Sequence, residues 1–335
     1  AKRDEKKLKE ILIEVQQRLE KKAFLLGAKV AHERNIALLA IQCIHELQDS
    51  DTMESISSNF LAGRNGELVL EKLSITPVNS AALFEFLGCS NNLKKLTFLH
   101  CAIHGDSYSK MEQSLLNNPT NSITSLKWYQ NFSDKGVKHV SEALKSQNCK
   151  LLELELGQNA AVTREGAKYL SEALSDENCG LLKLDLAGNA ITATGVLCLS
   201  KALKSRNCKL TSLNLAKNEI TVEGVKHLIQ ALKIKNCGLE DLSLACNKIK
   251  DQGVEYLSEA LKNKYCKLTS LNLIGNEITN EGAKYLSEAL KSENCKLTSL
   301  SLYRNRITDQ GAEYLREARK SGNCKLTSLG LAGCK

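Results

Sequence analysis

The residues of this chain that could do chemistry are mostly periodic. Cysteine recurs at Cys149, Cys179, Cys208, Cys237, Cys266, Cys295 and Cys324, at intervals of 29 residues after a first interval of 30. Stacked copies of such a thiol could act as a redox sensor. A free Cys is more often a small buried apolar filler, and that is the role expected here. Lysine recurs at Lys150, Lys209, Lys267, Lys296 and Lys325, and again at Lys233, Lys262 and Lys291. Aligned, these side chains would make basic ridges able to hold phosphates, which keeps nucleic acid open as a partner. With Glu142, Glu172, Glu259 and Glu288 nearby, solubility and helix-end charge are the expected reason for them. Cys89, His100, Cys101 and His104 are zinc-ligand types close together but lack paired spacing, so no metal is expected there. The six histidines have no recurrent Ser or Cys partner, the carboxylates are dispersed, and no G-x-x-x-x-G-K-[ST] phosphate loop occurs. No catalysis and no cofactor are expected.

The elements that would carry these side chains follow from the repeat. The segments CKLTSLNLAKNEITVEG, CKLTSLNLIGNEITNEG and CKLTSLSLYRNRITDQG begin at Cys208, Cys266 and Cys295. In each, a Leu-x-x-Leu-x-Leu-x-x-Asn phrase such as Leu210, Leu213, Leu215 and Asn218 ends in the period-2 alternation of a short strand with inward leucines. A helical pattern follows, with Val225, Leu228, Ala231 and Leu232 on one face, as are Ala283, Leu286, Ala289 and Leu290 in a later copy. Thr221, Thr279 and Thr308 stand where an N-cap belongs, and Lys233, Lys262 and Lys291 near the negative helix end. The Asn ladder (Asn131, Asn159, Asn189, Asn218, Asn247, Asn276, Asn305) falls where the chain leaves each strand, and a buried amide there can satisfy turn backbone. Cys101 and Cys334 take that position at the two ends. The Gly ladder from Gly136 to Gly311 falls in the first helical turn; its cost in propensity, about 1 kcal/mol each, implies close packing.

One such unit cannot bury its apolar face alone, so successive units must stack, strands on one side and helices on the other. Strands stack at about 4.8 Å and helices at roughly 8 to 10 Å, so the stack is expected to curve with its strands inside. The phrase LxxLxLxxN-x-I-T-x-x-G-x-x-x-L-x-x-A-L resembles the ribonuclease-inhibitor class of leucine-rich repeats, from about residue 93 to 335. That resemblance implies an α/β fold, a curved leucine-rich-repeat solenoid (horseshoe) with an inner parallel β-sheet and outer helices.

Upstream the pattern decays. Leu93, Leu96, Phe98 and Cys101 make a recognisable repeat, and Leu68, Leu70, Ile75 and Thr76 a degenerate one. Before these, Leu8, Ile11, Leu12, Val15 and Leu19 mark one amphipathic helix, and Ile36, Leu39, Ile44 and Leu47 another. Residues 1–60 are therefore read as a small helical cap and linker, and 61–335 as the repeats. The stretch ERNIALLAIQCIHELQDSD, residues 33–51, is similar to the helical segment that joins the nucleotide-binding part of a NOD-like receptor to its repeats. The resemblance implies the carboxy-terminal sensor of such a receptor, cut upstream of its NTPase. The last repeat ends after its strand, so its natural end is expected further on.

The balance of 46 basic and 38 acidic residues, net +8, suits solubility and gives nucleic acid little weight by itself. No apolar run approaches the roughly 20 residues that span a bilayer, and the opening AKRDEKKLKE is not a signal peptide. The 13 cysteines, odd in number and periodic, point to reduced thiols and a cytoplasmic setting. The one N-x-S sequon, Asn131-Phe132-Ser133, places its Asn on the ladder, expected to be buried, so it is not read as a sign of secretion.

Binding specificity is expected where the inner face departs from the repeat: Lys127, Tyr129, Glu153, Glu155, Lys183, Asp185, Lys217, Asp241, Tyr303 and Arg304. Tyr129, Tyr303 and Arg304 lead, because aromatics and Arg anchor interfaces. Trp128 replaces an inward Leu and is assigned to the core. Three functions are in view: a non-catalytic recognition module sensing a microbial ligand, a protein or its own receptor's nucleotide-binding domain; an inhibitor resembling ribonuclease inhibitor; and a GTPase-activating protein of the Ran type, whose acidic tail is not seen. The first is expected, as a monomer, with no membrane partner.

Overall fold

The computed structural model describes residues 14, 17–18, 21–28, 30–46, 53–57, 59 and 65–331. The chain falls into two compact units, one of residues up to Asn131 together with Ser146–Leu151, the other of Phe132–Lys145 together with Leu152 onward.

In the first unit, α1 (Ala31–Glu46) precedes β1 (Glu67–Glu71), β2 (Ser74–Ile75), α2 (Pro77–Gly88), β3 (Lys95–Leu99) and β4 (Ala102–Ile103). A short α3 (Ser107–Lys110) runs into a π-helical stretch, Met111–Leu116, ahead of β5 (Ser125–Tyr129). Strands β1, β3 and β5 pair in parallel, bringing Leu68, Leu96 and Leu126 into one row and Leu70, Phe98 and Trp128 into the next. Trp128 is fully buried and stacks on Phe98 at 4.0 Å between ring centroids, as expected of a core residue.

The helix face expected from Ile36, Leu39 and Ile44 is rotated in the structure. α1 buries Arg34, Ala37, Leu38, Ile41 and Ile44, while Leu39 is 62% exposed. α1 packs against the Phe24–Gly27 turn and α2, and the face it buries leaves the large Leu39 turned to solvent. Leu47 and the earlier amphipathic pattern of Leu8, Ile11, Leu12, Val15 and Leu19 lie outside the described residues.

The second unit repeats one motif. It comprises α4 (Asp134–Leu144), β6 (Glu153–Glu155), α5 (Arg164–Leu174), β7 (Lys183–Asp185), α6 (Ala193–Leu203), β8 (Ser212–Asn214) and α7 (Val222–Leu232). Then come β9 (Asp241–Ser243), α8 (Lys250–Leu261), β10 (Ser270–Asn272), α9 (Asn280–Leu290), β11 (Ser299–Ser301), α10 (Asp309–Arg319) and β12 (Ser328–Gly330). The strands pair in chain order and in parallel, with Leu154, Leu184, Leu213, Leu242, Leu271, Leu300 and Leu329 in one inward row. The first six of these leucines are at most 1% exposed. Burying each contributes roughly 1.5–3 kcal/mol, enough to stabilise a stack of units that would not fold singly.

The polar ladder holds the turns. Asn247 Nδ2 donates to the carbonyls of Leu215 and Leu244, both at 2.9 Å, and its Oδ1 accepts from Asn218 N at 3.0 Å and Ile220 N at 2.9 Å. Each amide thus ties its own turn to the one before. Cys101 fills the same role with sulfur, Sγ lying 3.4 Å from both Leu73 N and Leu70 O. Cys334 lies outside the described residues. Asn131 corrects the expectation: it is exposed, not buried. Its turn is one residue shorter, with Asn131 two positions before the cap Ser133, where Asn218 is three before Thr221. Asn131 (φ 59°) takes the left-handed place of Glu219 (φ 54°), and Phe132 N donates to Asn159 Oδ1 as Ile220 N does to Asn247. Burial therefore does not bar the sequon.

The glycine ladder also has a packing cause. A Cβ on Gly282 would lie 2.5 Å from Asp251 Oδ1, and that oxygen already accepts from Gly282 N at 3.0 Å and Thr279 N at 2.8 Å. One repeat's acidic residue thus caps the next repeat's helix, and Asp134 does the same for Thr163 and Gly166.

Candidate functional site

Every second strand residue of the second unit points away from the helices, and strand pairing sorts these residues into two rows. One row reads Glu153, Lys183, Ser212, Asp241, Ser270, Ser299, Ser328; the other reads Glu155, Asp185, Asn214, Ser243, Asn272, Ser301, Gly330. Short hydroxyl and amide side chains dominate, so the sheet presents an open polar face. A depression of about 380 Å³ runs along it, lined among others by Glu155, Lys183, Asp185, Asn214, Asp241 and Ser243.

Charge is concentrated at the β6 to β9 end. Lys183 Nζ lies 2.7 Å from Glu153 Oε1, and this carboxylate raises the Lys183 pKa above the ordinary lysine value. Asp185 Oδ1 accepts from Ala187 N and Oδ2 from Asn214 Nδ2, both at 2.8 Å. Asp241 Oδ2 accepts from Ser212 Oγ at 2.9 Å. Four carboxylates, those of Glu153, Glu155, Asp185 and Asp241, thus share the face with one ammonium. These hydrogen bonds hold the two aspartates in place, ready for a cation or donor from outside.

The structure brings Glu153, Glu155, Lys183, Asp185 and Asp241 together on this face. Lys127 and Tyr129 alternate with the buried Leu126 and Trp128 along β5 of the first unit, both half-buried. Tyr303 follows β11 and is 39% exposed; its ring lies over Gly330, where any Cβ would overlap it. Lys217 and Arg304 are in the turns after the strands rather than on them, with φ of 55° and 56°. Lys217 lines a second depression of about 390 Å³ with Glu219, Cys246, Lys248, Gly275 and Glu277. In every unit from Gln158 to Arg304 the residue before the ladder Asn is left-handed, which throws its side chain out along the turn. Ser212, Asn214, Ser243 and Asn272 follow the repeat, so departure from it does not single them out although they line the same face. Their strand parity alone would have found them.

The other chemical residues are dispersed. His104 Nε2 lies 3.2 Å from Ser74 Oγ, His100 Nδ1 is hydrogen-bonded to Gln130, and Cys101 belongs to the turn ladder. Among the described residues no group of three or more His, Cys, Asp or Glu is placed to hold a metal ion. None of the described cysteines forms a disulfide. Burial pushes the thiols of Cys208 and Cys266 up to about 11, against the activation of a thiolate. Among the described residues no helix is long and apolar enough to cross a membrane.

No curated protein matches the sequence. Among solved structures, the Leiomodin-1 Actin-Binding Site 2 (ABS2) is similar over 54% of this chain and 91% of that one, at 19% identity and a TM-score of 0.38. The family model described as Leucine Rich repeat matches residues 147–171, 177–200, 206–228, 235–258, 266–287 and 293–315. These segments carry the strand, Asn turn, capped helix and glycine packing described above, so residues 147–315 form a leucine-rich-repeat domain of the ribonuclease-inhibitor type.

Proposed function

We propose that the open face of β6 to β12 is the recognition surface of a non-catalytic protein-binding module, the sensing and autoinhibitory part of a cytosolic NOD-like innate immune receptor. The observation that carries the binding reading is the group of four carboxylates, Glu153, Glu155, Asp185 and Asp241, on a face of mostly short side chains. Such a face is complementary to a protein surface bearing Lys or Arg. Tyr303, lying flat at the far end of the same face, supplies an aromatic anchor of the type that dominates interfaces. The receptor assignment is supported by α1, Ala31–Glu46, which overlaps the segment 33–51 whose sequence resembles the receptor linker. Periodic cysteines that, among the described residues, form no disulfide fit the cytosolic setting.

A second reading is favoured by the same carboxylates: an inhibitor of basic proteins in the manner of ribonuclease inhibitor. Although the whole chain is net +8, the face itself is acidic. One titration separates the two. The immobilised chain is exposed to a pancreatic-type ribonuclease, to muramyl peptides and to a NOD-like receptor's nucleotide-binding domain. Saturable binding weakened at least tenfold by Asp185→Lys/Asp241→Lys, with the circular dichroism unchanged, is the expected result. Tight binding to the ribonuclease alone selects the inhibitor reading; binding unmoved by the charge reversal rejects this face.

A further inference from the structure

The opposite charge is gathered elsewhere in the second unit, along the edge where helices end and strands begin. The five loops of residues 204–209, 233–238, 262–267, 291–296 and 320–325 contain twelve Lys and Arg and one carboxylate, Glu293. Eleven of the twelve cations are exposed, Lys233 being half-buried. The loop before them, residues 175–180, carries Asp176 and Glu177 and no cation, so the basic character is not a property of the repeat as such.

Helix ends explain only part of this. Lys204, Lys233, Lys262, Lys291 and Lys320 are C-caps, where a cation offsets the helix dipole. Arg206, Lys235 and Lys264 lie two residues further on, beyond the last turn. Lys209, Lys267, Lys296 and Lys325 lie five beyond, each beside the thiol of the preceding repeat, that of Cys179, Cys237, Cys266 and Cys295 in turn. Lys267, Lys296 and Lys325 stand three residues before Ser270, Ser299 and Ser328 in turn, which pair in parallel register, so the ladder is stacked. Successive repeats are spaced at about 4.8 Å on the strand side and roughly 8–10 Å on the helix side, near or inside the screening length of about 8 Å. Two of the twelve are paired, Lys233 with Glu259 at 2.9 Å and Lys320 with Glu317; the others stand close enough to repel one another, and a polyanion lying along them would relieve that repulsion. In the midst of the ladder Tyr265 is 38% exposed, with Lys264 Nζ 5.1 Å from its ring centroid.

We propose that this edge binds single-stranded nucleic acid, the cations tracking phosphates and Tyr265 stacking on an unpaired base. A basic track with an interleaved aromatic is the combination that holds single strands without reading their sequence. The surface is separate from the acidic strand face.

The test is fluorescence anisotropy of the purified chain with a fluorescein-labelled 20-nucleotide poly(U), an oligo(dT) of the same length, a duplex, and phosphatidylserine vesicles as competitor. If about six phosphates are engaged, log K should fall against log salt with a slope of roughly −4. Lys235→Glu/Lys264→Glu/Lys267→Glu/Lys296→Glu should weaken single-strand binding at least thirtyfold, and Tyr265→Ala at least fivefold. A matched reversal on the helix backs, Lys138→Glu/Lys168→Glu/Lys201→Glu/Lys284→Glu, should cost under threefold. Equal losses in the two quadruple variants would reduce the effect to net charge and overturn the proposal. So would tighter binding to duplex, a response to vesicles alone, or no effect of Tyr265→Ala.

Discussion

Asn247→Ala should be among the most damaging single changes in the second unit, although it removes a small polar side chain. Asn247 makes four good hydrogen bonds, two donated to the carbonyls of Leu215 and Leu244 and two accepted from Asn218 N and Ile220 N, all between 2.9 and 3.0 Å. At about 1 kcal/mol net for each neutral bond, the loss is about 4 kcal/mol, more if the orphaned backbone groups stay dry. Ala adopts the Asn247 backbone without strain, since its φ is not positive. The informative comparison is Asn131→Ala at the same sequence position. There the side chain is exposed, and the cost is the left-handed φ of 59° alone, about 1–2 kcal/mol. Urea unfolding followed by circular dichroism at 222 nm measures both, with a check that a single transition describes each variant. Equal destabilisation, or an Asn247 effect below about 2 kcal/mol, would refute the assignment of the ladder as the brace of the turns.

Other outcomes follow from the same packing. Gly282→Ala should destabilise by about 1–3 kcal/mol in spite of the better helix propensity of Ala, because its Cβ meets Asp251 and Ile278; Gly322→Ala, with nothing within 4 Å, should be near neutral by the same thermal melt. The buried thiols make stability depend on alkaline pH. With folded values of about 11 for Cys208 and Cys266 against 9.0 unperturbed, their contribution is intact below pH 9 and lost as pH rises from 9 through 11. The slope is about 1.4 kcal/mol per pH unit per thiol; Cys266→Ala should shallow it in urea titrations at pH 8, 9 and 10, and an unchanged slope would mean other groups dominate. Iodoacetamide should label Cys266 only after unfolding, read by mass spectrometry, whereas exposed Cys246 should label in the native state.

Much of the fold was legible in the sequence because each unit is stabilised by short-range periodicity. Leucines at strand spacing, Thr before the helix and Asn after the strand each do one job, and repetition states that job several times over. The repeat also predicted the inward fate of Trp128. It failed where one residue was deleted: the letters still place Asn131 on the ladder, but burial depends on turn length, and only the folded turn shows that the position has been skipped. The α1 face was likewise undecided by the sequence, since Leu38 and Leu39 offer two apolar stripes and the partner α2 selects one. The candidate surfaces divide in the same way. Strand parity identified Glu153, Glu155, Lys183, Asp185 and Asp241 as facing residues, because alternation is a property of a single strand. That Lys217 and Arg304 stand in left-handed turns, and that Lys267, Lys296 and Lys325 lie in register beside the preceding thiols, was decided by tertiary stacking. Proximity between residues 29 apart is set by how one repeat seats on the next, and no single repeat contains it.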